Sequence, residues 1–364
     1  MMIKKKQRFL ITGGAGFVGS NIAIAIKENL ENTEVFALDN LYRKGSELNL
    51  PRLSSYGIKF IKGDVRNPQD LEIAGKADFL IECSAEPSVL AGKDGNTDFL
   101  IGTNLIGAIN CAEYCKKYDT GIVFLSTSRV YPINAILSCE LRKTEKRFDF
   151  SEHQLLNGVS PEGISEEFPM TGARSLYGAT KFAAETMLVD YAEAFNIKVI
   201  INRLGVIAGP WQFGKSDQGI VPFWIAAHIF EKKINYIGFG GRGQQVRDFL
   251  HIDDLVRLIL MQLSSPDKFS SNGKSSGSLF NIGGGKKNSL SLLELTELCQ
   301  QISGRKVEIG SIPETRYADV PVYITDYKKL NNLCSWKPEK SVYNIIQDIF
   351  DWIISTPEAS EVFK

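Results

Sequence analysis

RFLITGGAGFVGSNIAIAIKENL, residues 8–30, decides how the rest of this chain is read. RFLIT (8–12) is apolar enough to be a buried strand, and a helical pattern comes next over roughly Phe17–Leu30. Between them stand Gly13, Gly16 and Gly19, spaced GxxGxxG. One glycine permits the tight turn, another lets backbone approach a ligand, and a third lets helix and strand pack closely. The helix then opens with unpaired N–H groups and the positive end of its dipole, which together attract phosphate. An isolated glycine motif is weak, and an ordinary tight turn would explain it. A strand before it and a helix after it point to a dinucleotide pyrophosphate instead.

The same alternation continues. EVFALD (34–39), IKFIKGD (58–64), ADFLIE in the region of 78–83, GIVFLST (121–127) and KVIINRLG (198–205) read as further strands, with a helix over about Phe99–Lys117. Strands that are apolar along their whole length and separated by helices predict a parallel sheet covered on both faces, the doubly wound α/β (Rossmann) class. Residues 133–172 interrupt this order with a long, charged, Gly-, Pro- and Ser-containing insert. Connections of that length are usually functional or disordered. Beyond Gly209 the pattern loosens to a helix at 218–232, a strand near 235–238, a strand running into a helix in VRDFLHIDDL, and an amphipathic helix at 290–302. KSSGSLFNIGGGKKNSLS (274–291) has the Gly and Ser density of exposed turns. The expected division is a dinucleotide-binding domain over 1–202 and a smaller substrate-binding domain over 203–364, with some segments returning to the main sheet.

Composition narrows the function classes. In 364 residues, 42 Lys plus Arg balance 42 Asp plus Glu, which argues against a nucleic-acid footprint over the whole surface. The basic cluster near the N-terminus is succeeded by four apolar-leaning residues before the glycines, not the roughly 7–15 of a signal peptide. No run approaches the ~18 apolar residues of a membrane span. A soluble, cytoplasmic protein is expected. Cys83, Cys111, Cys115, Cys139, Cys299 and Cys334 form no CxxC, and with three histidines the sequence offers no metal site; reduced, buried thiols are expected.

Two further features carry chemistry. Asp39 closes the second strand, twenty residues after Gly19. A carboxylate there accepts hydrogen bonds from ribose hydroxyls and repels a 2′-phosphate, so NAD is expected over NADP. In SLYGATKFAAE (175–185), Tyr177 and Lys181 are four residues apart and share a helix face. A free phenol titrates near ~10. An ammonium and a cationic nicotinamide beside it favour phenolate and make it a usable base.

TGGAGFVGS, LDN (38–40), GDVRN (63–67), LSTSRVY (125–131), YGATK (177–181) and VRDFLHIDD (246–254) together resemble the extended short-chain dehydrogenase/reductases, the nucleotide-sugar epimerases and dehydratases. The resemblance covers nearly the whole chain. It implies a catalytic triad of Thr127, Tyr177 and Lys181. It implies NAD contacts from Gly13, Gly16, Phe17, Val18, Gly19, Asp39, Asn40, Asp64, Val65, Ser84 and Ala85, with Tyr177 and Lys181. It also implies substrate contacts from Ser126, Arg129, Gln212, Gln218, Arg247, Arg316 and Asp319, the two arginines Arg247 and Arg316 on the diphosphate. Phe213 is a further candidate lining residue. A homodimer or homotetramer is implied, through the helix around 108–118 and the Tyr177 helix.

Dehydratases of this family place Asp–Glu directly after the catalytic threonine. Here Ser128 and Arg129 take those positions, so an epimerase is expected, which oxidises a sugar carbon and reduces it from the other face. LDNLYRKGSELNL (38–50), WQFGKSDQG (211–219) and NSLSLLEL (288–295) are similar to the branch that inverts C2 of a CDP-linked 3,6-dideoxyhexose. A UDP-hexose 4-epimerase, or an epimerase of another nucleotide sugar, is the alternative within the class. A non-catalytic NAD-sensing scaffold is the alternative outside it, and would not need Thr127, Tyr177 and Lys181. Three features depart from the family pattern: Glu82 where relatives often carry histidine, Val206 where many are polar, and the length of the 133–172 insert.

Overall fold

The computed structural model describes residues 6–93, 95–214, 219–270 and 278–364. Its centre is a sheet of seven parallel strands, β1 (Gln7–Thr12), β2 (Thr33–Asp39), β3 (Lys59–Lys62), β4 (Phe79–Glu82), β5 (Gly121–Thr127), β6 (Val199–Leu204) and β7 (Leu279–Ile282). Their spatial order is β7-β6-β5-β4-β1-β2-β3. Order reverses between β1 and β4, where crossovers leave in opposite directions and open a crevice at the carboxyl ends of the strands.

Strand periodicity explains why these segments are apolar throughout. Phe9, Ile11, Val35, Val123, Leu125 and Ile200 point to one face of the sheet; Leu10, Phe36, Ile122, Phe124, Val199 and Ile201 point to the other. The first face packs against α1 (Phe17–Asn29), and the second against α2 (Gly107–Tyr118) and α3 (Leu176–Phe195). A further helix, α4 (Ile252–Ser264), also covers the first face through Leu255, Leu258 and Ile259. Both faces are buried, so alternation in space leaves no alternation in polarity along the chain.

Residues 274–277 of the 274–291 stretch lie outside the described residues, and residues 278–291 depart from their expected reading as exposed turns. Leu279–Ile282 is β7, paired with β6 from Ile201↔Leu279 to Leu204↔Ile282. Its glycines mark close approach, since a β-carbon on Gly284 would sit 2.0 Å from the Phe249 carbonyl oxygen.

Beside the strand ends, Val246–His251 pairs in parallel with Val206–Ala208 and Val322–Tyr323 and antiparallel with Ser289–Ser291. Helices Ile220–Ile229, Leu292–Ser303 and Val342–Ser355 pack around Trp224, Ile225, Leu295, Ile346 and Ile349. The 133–172 insert is ordered, with a helix at Ile133–Leu137 and short antiparallel pairs at Leu141–Lys143 with Phe148–Phe150 and Val159–Ser160 with Gly163–Ile164. It closes a core of its own around Tyr131, Phe150, Phe168, Val322 and Ile324. No helix among the described residues is long and apolar enough to cross a membrane.

Candidate active site

The glycine loop is as tight as its sequence demands. A β-carbon on Gly19 would lie 2.3 Å from the Gly13 carbonyl oxygen. Gly13 has φ +61° and presses on the end of β4, where a β-carbon would meet the Cys83 oxygen at 2.8 Å. Helix α1 has no side-chain cap at Gly16 and no acidic residue in its first turn, so its amides and positive dipole are left for an outside anion. Asp39 accepts from the amides of Ala15 (3.1 Å) and Leu41 (2.8 Å), bracing the loop as well as ending β2. Burial pushes its carboxyl above the ordinary aspartate value, against those amides. Residues and glycines thus fit a dinucleotide here, with Phe17 and Val18 as first-turn amides and Ser84 and Ala85 just beyond β4.

Asp64 accepts from Asn40 Nδ2 at 2.8 Å and from Arg66 at 2.7 Å. Burial opposes its ionisation, but Arg66 and Asn40 hold the carboxyl down at about 2. Val65 is packed into the core against Gly107, and its carbonyl oxygen accepts from Asn110 at 2.8 Å.

Thr127, Tyr177 and Lys181 converge at the ends of β5 and β4. Ser175 caps α3 by accepting from the Gly178 amide, fixing where the helix begins. Gly178 lets the helix approach so closely that a β-carbon there would lie 2.1 Å from the Arg129 carbonyl oxygen. The Thr127 hydroxyl lies beside the Tyr177 phenol and accepts from the Arg129 amide at 3.2 Å. Burial raises the Tyr177 phenol above its ordinary value; the Thr127 hydroxyl and the Arg129 charge lower it, while Glu82 and Glu86 raise it further. Lys181 is 1% exposed, stacks on the Phe124 ring at 3.9 Å and pairs with Glu82 Oε2 at 3.3 Å. Burial pushes the Glu82 carboxyl up, against the pull of Lys181.

A cavity adjoins this constellation, lined by Ser128, Arg129, Ser175, Val206 and Arg247, with Ile133, Ile136, Tyr131, Ala318, Val320 and Tyr323 supplying an apolar wall. Arg247 binds Asp319 at 2.6 Å and the Val320 carbonyl oxygen at 2.8 Å. Arg129 binds the Ala318 carbonyl oxygen at 3.1 Å. Both guanidinium groups are thereby held on one segment. Burial and the neighbouring Arg129 bring Arg247 down to about 10, opposed by Asp319.

Some expected substrate residues lie elsewhere. Ser126 is directed away from the pocket, because successive strand residues face opposite ways; its hydroxyl donates to Glu185 on α3 at 2.5 Å. Arg316 is exposed and does not line the cavity; the guanidinium that joins Arg247 there is Arg129. Gln212 donates to the Ile207 carbonyl oxygen at 3.0 Å, and Phe213 packs on Trp352 and Phe363. Gln218 lies outside the described residues. Sequence reasoning missed Tyr131, Ser175, Ile133, Ile136 and Tyr323; of these only Ser175, a serine opening the YxxxK helix, carried a readable signal.

Known proteins resemble this chain over nearly its whole length. CDP-paratose 2-epimerase of Salmonella typhi is 33% identical over 359 residues, 96% of this chain and 99% of the relative. UDP-glucuronate 4-epimerase of Thermodesulfobacterium geofontis is 27% identical over 94% of this chain and 95% of the relative. The solved UDP-glucuronic acid 4-epimerase of Bacillus cereus, in complex with UDP-glucuronic acid and NAD, superposes with a TM-score of 0.74 at 23% identity, covering 96% of this chain and 99% of the other. The model of the NAD dependent epimerase/dehydratase family matches residues 9–283. With its glycine loop, its parallel sheet and its Thr127–Tyr177–Lys181 constellation, this chain belongs to the NAD-dependent epimerase/dehydratase family.

Proposed function

We propose that the chain is an NAD-dependent nucleotide-sugar epimerase acting as a CDP-paratose 2-epimerase, which inverts C2 of a CDP-linked 3,6-dideoxyhexose. The observation that carries this reading is the residue pair directly after Thr127. Ser128 and Arg129 stand there, and the adjoining cavity contains no carboxylate among its described lining residues. Among those lining residues none can remove the proton α to a ketone as a carboxylate does, which favours reversal of the oxidation over elimination of water. Similarity to a CDP-paratose 2-epimerase over almost the full length of both chains supports the CDP-sugar.

When bound, NAD would supply hydride-accepting and hydride-donating chemistry at C2. The loop Gly13–Gly19, the first-turn amides and Asp39 would hold the cofactor, with Asn40, Asp64, Val65, Ser84 and Ala85 around it. Tyr177 takes the C2 hydroxyl proton as base and gives it back as acid. Thr127, beside the same phenol, would hold the substrate oxygen in line. Arg247 and Arg129 form a dicationic floor for the diphosphate, with Asp319 orienting Arg247. The apolar wall of Ile133, Ile136 and Val320 suits carbons that lack hydroxyl groups. We assign a cytoplasmic homodimer or homotetramer on the strength of the resemblance to the family.

The test is proton NMR of CDP-paratose mixed with purified protein and no added cofactor. Signals of the C2-inverted sugar support the reaction and a retained NAD. An unchanged spectrum from NAD-containing protein removes this substrate and directs the search to UDP-hexoses, where 4-epimerisation is the competing reaction.

A further inference from the structure

Residues 40–52 leave Asp39 at the end of β2 and come back to the glycine loop. At the near end, the Leu41 amide donates to the Asp39 carboxylate at 2.8 Å. At the far end, the buried Asn49 side chain donates to the Ala15 carbonyl oxygen at 2.9 Å. Both attachment points, Asp39 and the loop, are groups that would hold NAD. The segment is therefore a flap bordering the cofactor site, and it can swing away only when its outer side is released.

What holds the outer side comes from the second half of the chain. Arg52, on the short helix Leu50–Ser55, donates to Asn49 Oδ1 at 2.6 Å and to Asn21 Oδ1 of α1 at 3.1 Å. Its guanidinium lies over the Trp211 ring, 4.0 Å from the centroid, within the range of cation–π attraction. Two residues on, Phe213 presses against Gly45, where a β-carbon would lie 2.8 Å from its ring. Trp352 of the helix Val342–Ser355 backs both rings, at 5.8 Å from Trp211 and 5.5 Å from Phe213 between centroids. Trp211 has φ +70°, a left-handed backbone that a large side chain adopts only when its surroundings impose it. Strain of this kind collects at ligand clamps.

We propose that Trp211, acting through Arg52 and Asn49, latches the 40–52 flap beside the cofactor site and sets how slowly NAD leaves. An epimerase that oxidises and re-reduces one carbon ends each cycle with its cofactor restored, so turnover does not require release and a closed latch does not slow it. The inference rests on the reading that NAD is retained through the cycle. It goes beyond that reading by naming the residues that retain it. Trp211 and Arg52 are positioning residues, with no bond made or broken at either.

The test is cofactor exchange in the protein as purified. Tritiated NAD is added in excess, and the label held by the protein after gel filtration is followed with time, so that uptake reads the departure of resident NAD. Trp211→Leu and Arg52→Gln are each expected to exchange roughly tenfold faster than wild type, the order of one half-buried cation–π contact expressed as a rate. Trp211→Phe, which keeps an aromatic face, is expected to stay within about threefold of wild type, which separates the ring from mere bulk. The double variant is expected to exchange no faster than Arg52→Gln, because Trp211 acts through Arg52. If Trp211→Leu does not fold, Arg52→Gln carries the test. Exchange rates equal to wild type, or effects that multiply in the double variant, overturn the proposal alone. Wild-type protein purified without NAD, or exchanging it within the filtration step, overturns the reading that the cofactor is retained, and the latch with it.

Discussion

A single hydrogen on Gly178 sets how near α3 can come to the end of β5. With the Arg129 carbonyl oxygen 2.1 Å from where a β-carbon would sit, Gly178→Ala must push the two segments apart. The strain is of the overpacking kind and costs about 1–3 kcal/mol. It also lengthens the contact between Tyr177 and Thr127, and proton transfer depends steeply on such distances. Thermal unfolding is expected to show a lowered midpoint, and kcat is expected to fall at least about tenfold with a smaller change in KM. A variant with unchanged kcat would mean that this approach is not what aligns the pair. Asp64 gives a second test at this scale. Its folded carboxyl, held at about 2, lies below the unfolded aspartate value near ~3.9. A depressed carboxyl contributes stability above the unfolded value and loses it as pH falls toward the folded one. The stability difference between wild type and Asp64→Asn, read from urea midpoints, is therefore expected to be constant from pH 7 down to about 4 and to shrink between about 4 and 2. A difference that grows in that window would contradict the assignment.

Among elements, α3 carries the greatest demand, since it must hold Tyr177 and Lys181 in register with β5 and β4. Its anchor is Glu185, which receives Arg203 of β6 at 2.7 Å and the Ser126 hydroxyl, all three residues being buried. Glu185→Gln leaves the Arg203 guanidinium in the interior without its counter-charge. Breaking one half of a buried pair costs about 3–5 kcal/mol, and chemical denaturation of the variant is expected to show a loss of that size. A loss under about 1 kcal/mol, the surface-pair range, would show that water reaches the site. These ties also show what a linear sequence can and cannot disclose. Strands β1, β2, β4, β5 and β6 were legible because both their faces are buried, which writes an apolar run into the chain, whereas the edge strand β3 exposes Lys59 and Lys62. The glycine loop and YxxxK were legible because their geometry is local. β7 was not, since four residues with a polar Asn281 among them, flanked by serine and glycine, mimic a turn. Asn281 serves inside, where it accepts from Tyr131 at 2.7 Å and donates to the Ile164 carbonyl oxygen at 3.0 Å. The direction of Ser126 was implicit in strand parity alone, given the position of Thr127. The Glu82–Lys181 pair was not, because it spans 99 residues and exists only once β4 and α3 are packed.

Across the whole molecule, the cavity joins parts of the chain that are far apart in sequence. Arg129 and Ser128 come from the end of the parallel sheet, Ile133 and Ile136 from the insert, Arg247 from the strand Val246–His251 beside it, and Val320 from the segment just before Val322–Tyr323. A ligand with two phosphates placed between Arg129 and Arg247 would bind the folded arrangement and have no counterpart in the unfolded chain. Ligand at 100 times its Kd then stabilises the protein by about 2.7 kcal/mol. With an unfolding entropy of about 2.1 cal/mol/K per residue, this corresponds to a rise in Tm of about 3–4 °C. CDP is the probe, because it carries the diphosphate and the base without the sugar. The shift is expected to vanish in Arg247→Ala measured at the same CDP concentration, while the NAD content of the purified variant stays at the wild-type level, since Arg247 lies outside the glycine-loop site. UDP at equal concentration is expected to give a smaller shift if the base is read as the CDP-sugar assignment requires. Equal shifts for CDP and UDP would leave the diphosphate site in place and return the choice of nucleotide to the UDP-sugar alternative. A full CDP shift surviving in Arg247→Ala would instead move the phosphates away from Arg247, toward the exposed side where Arg316 stands.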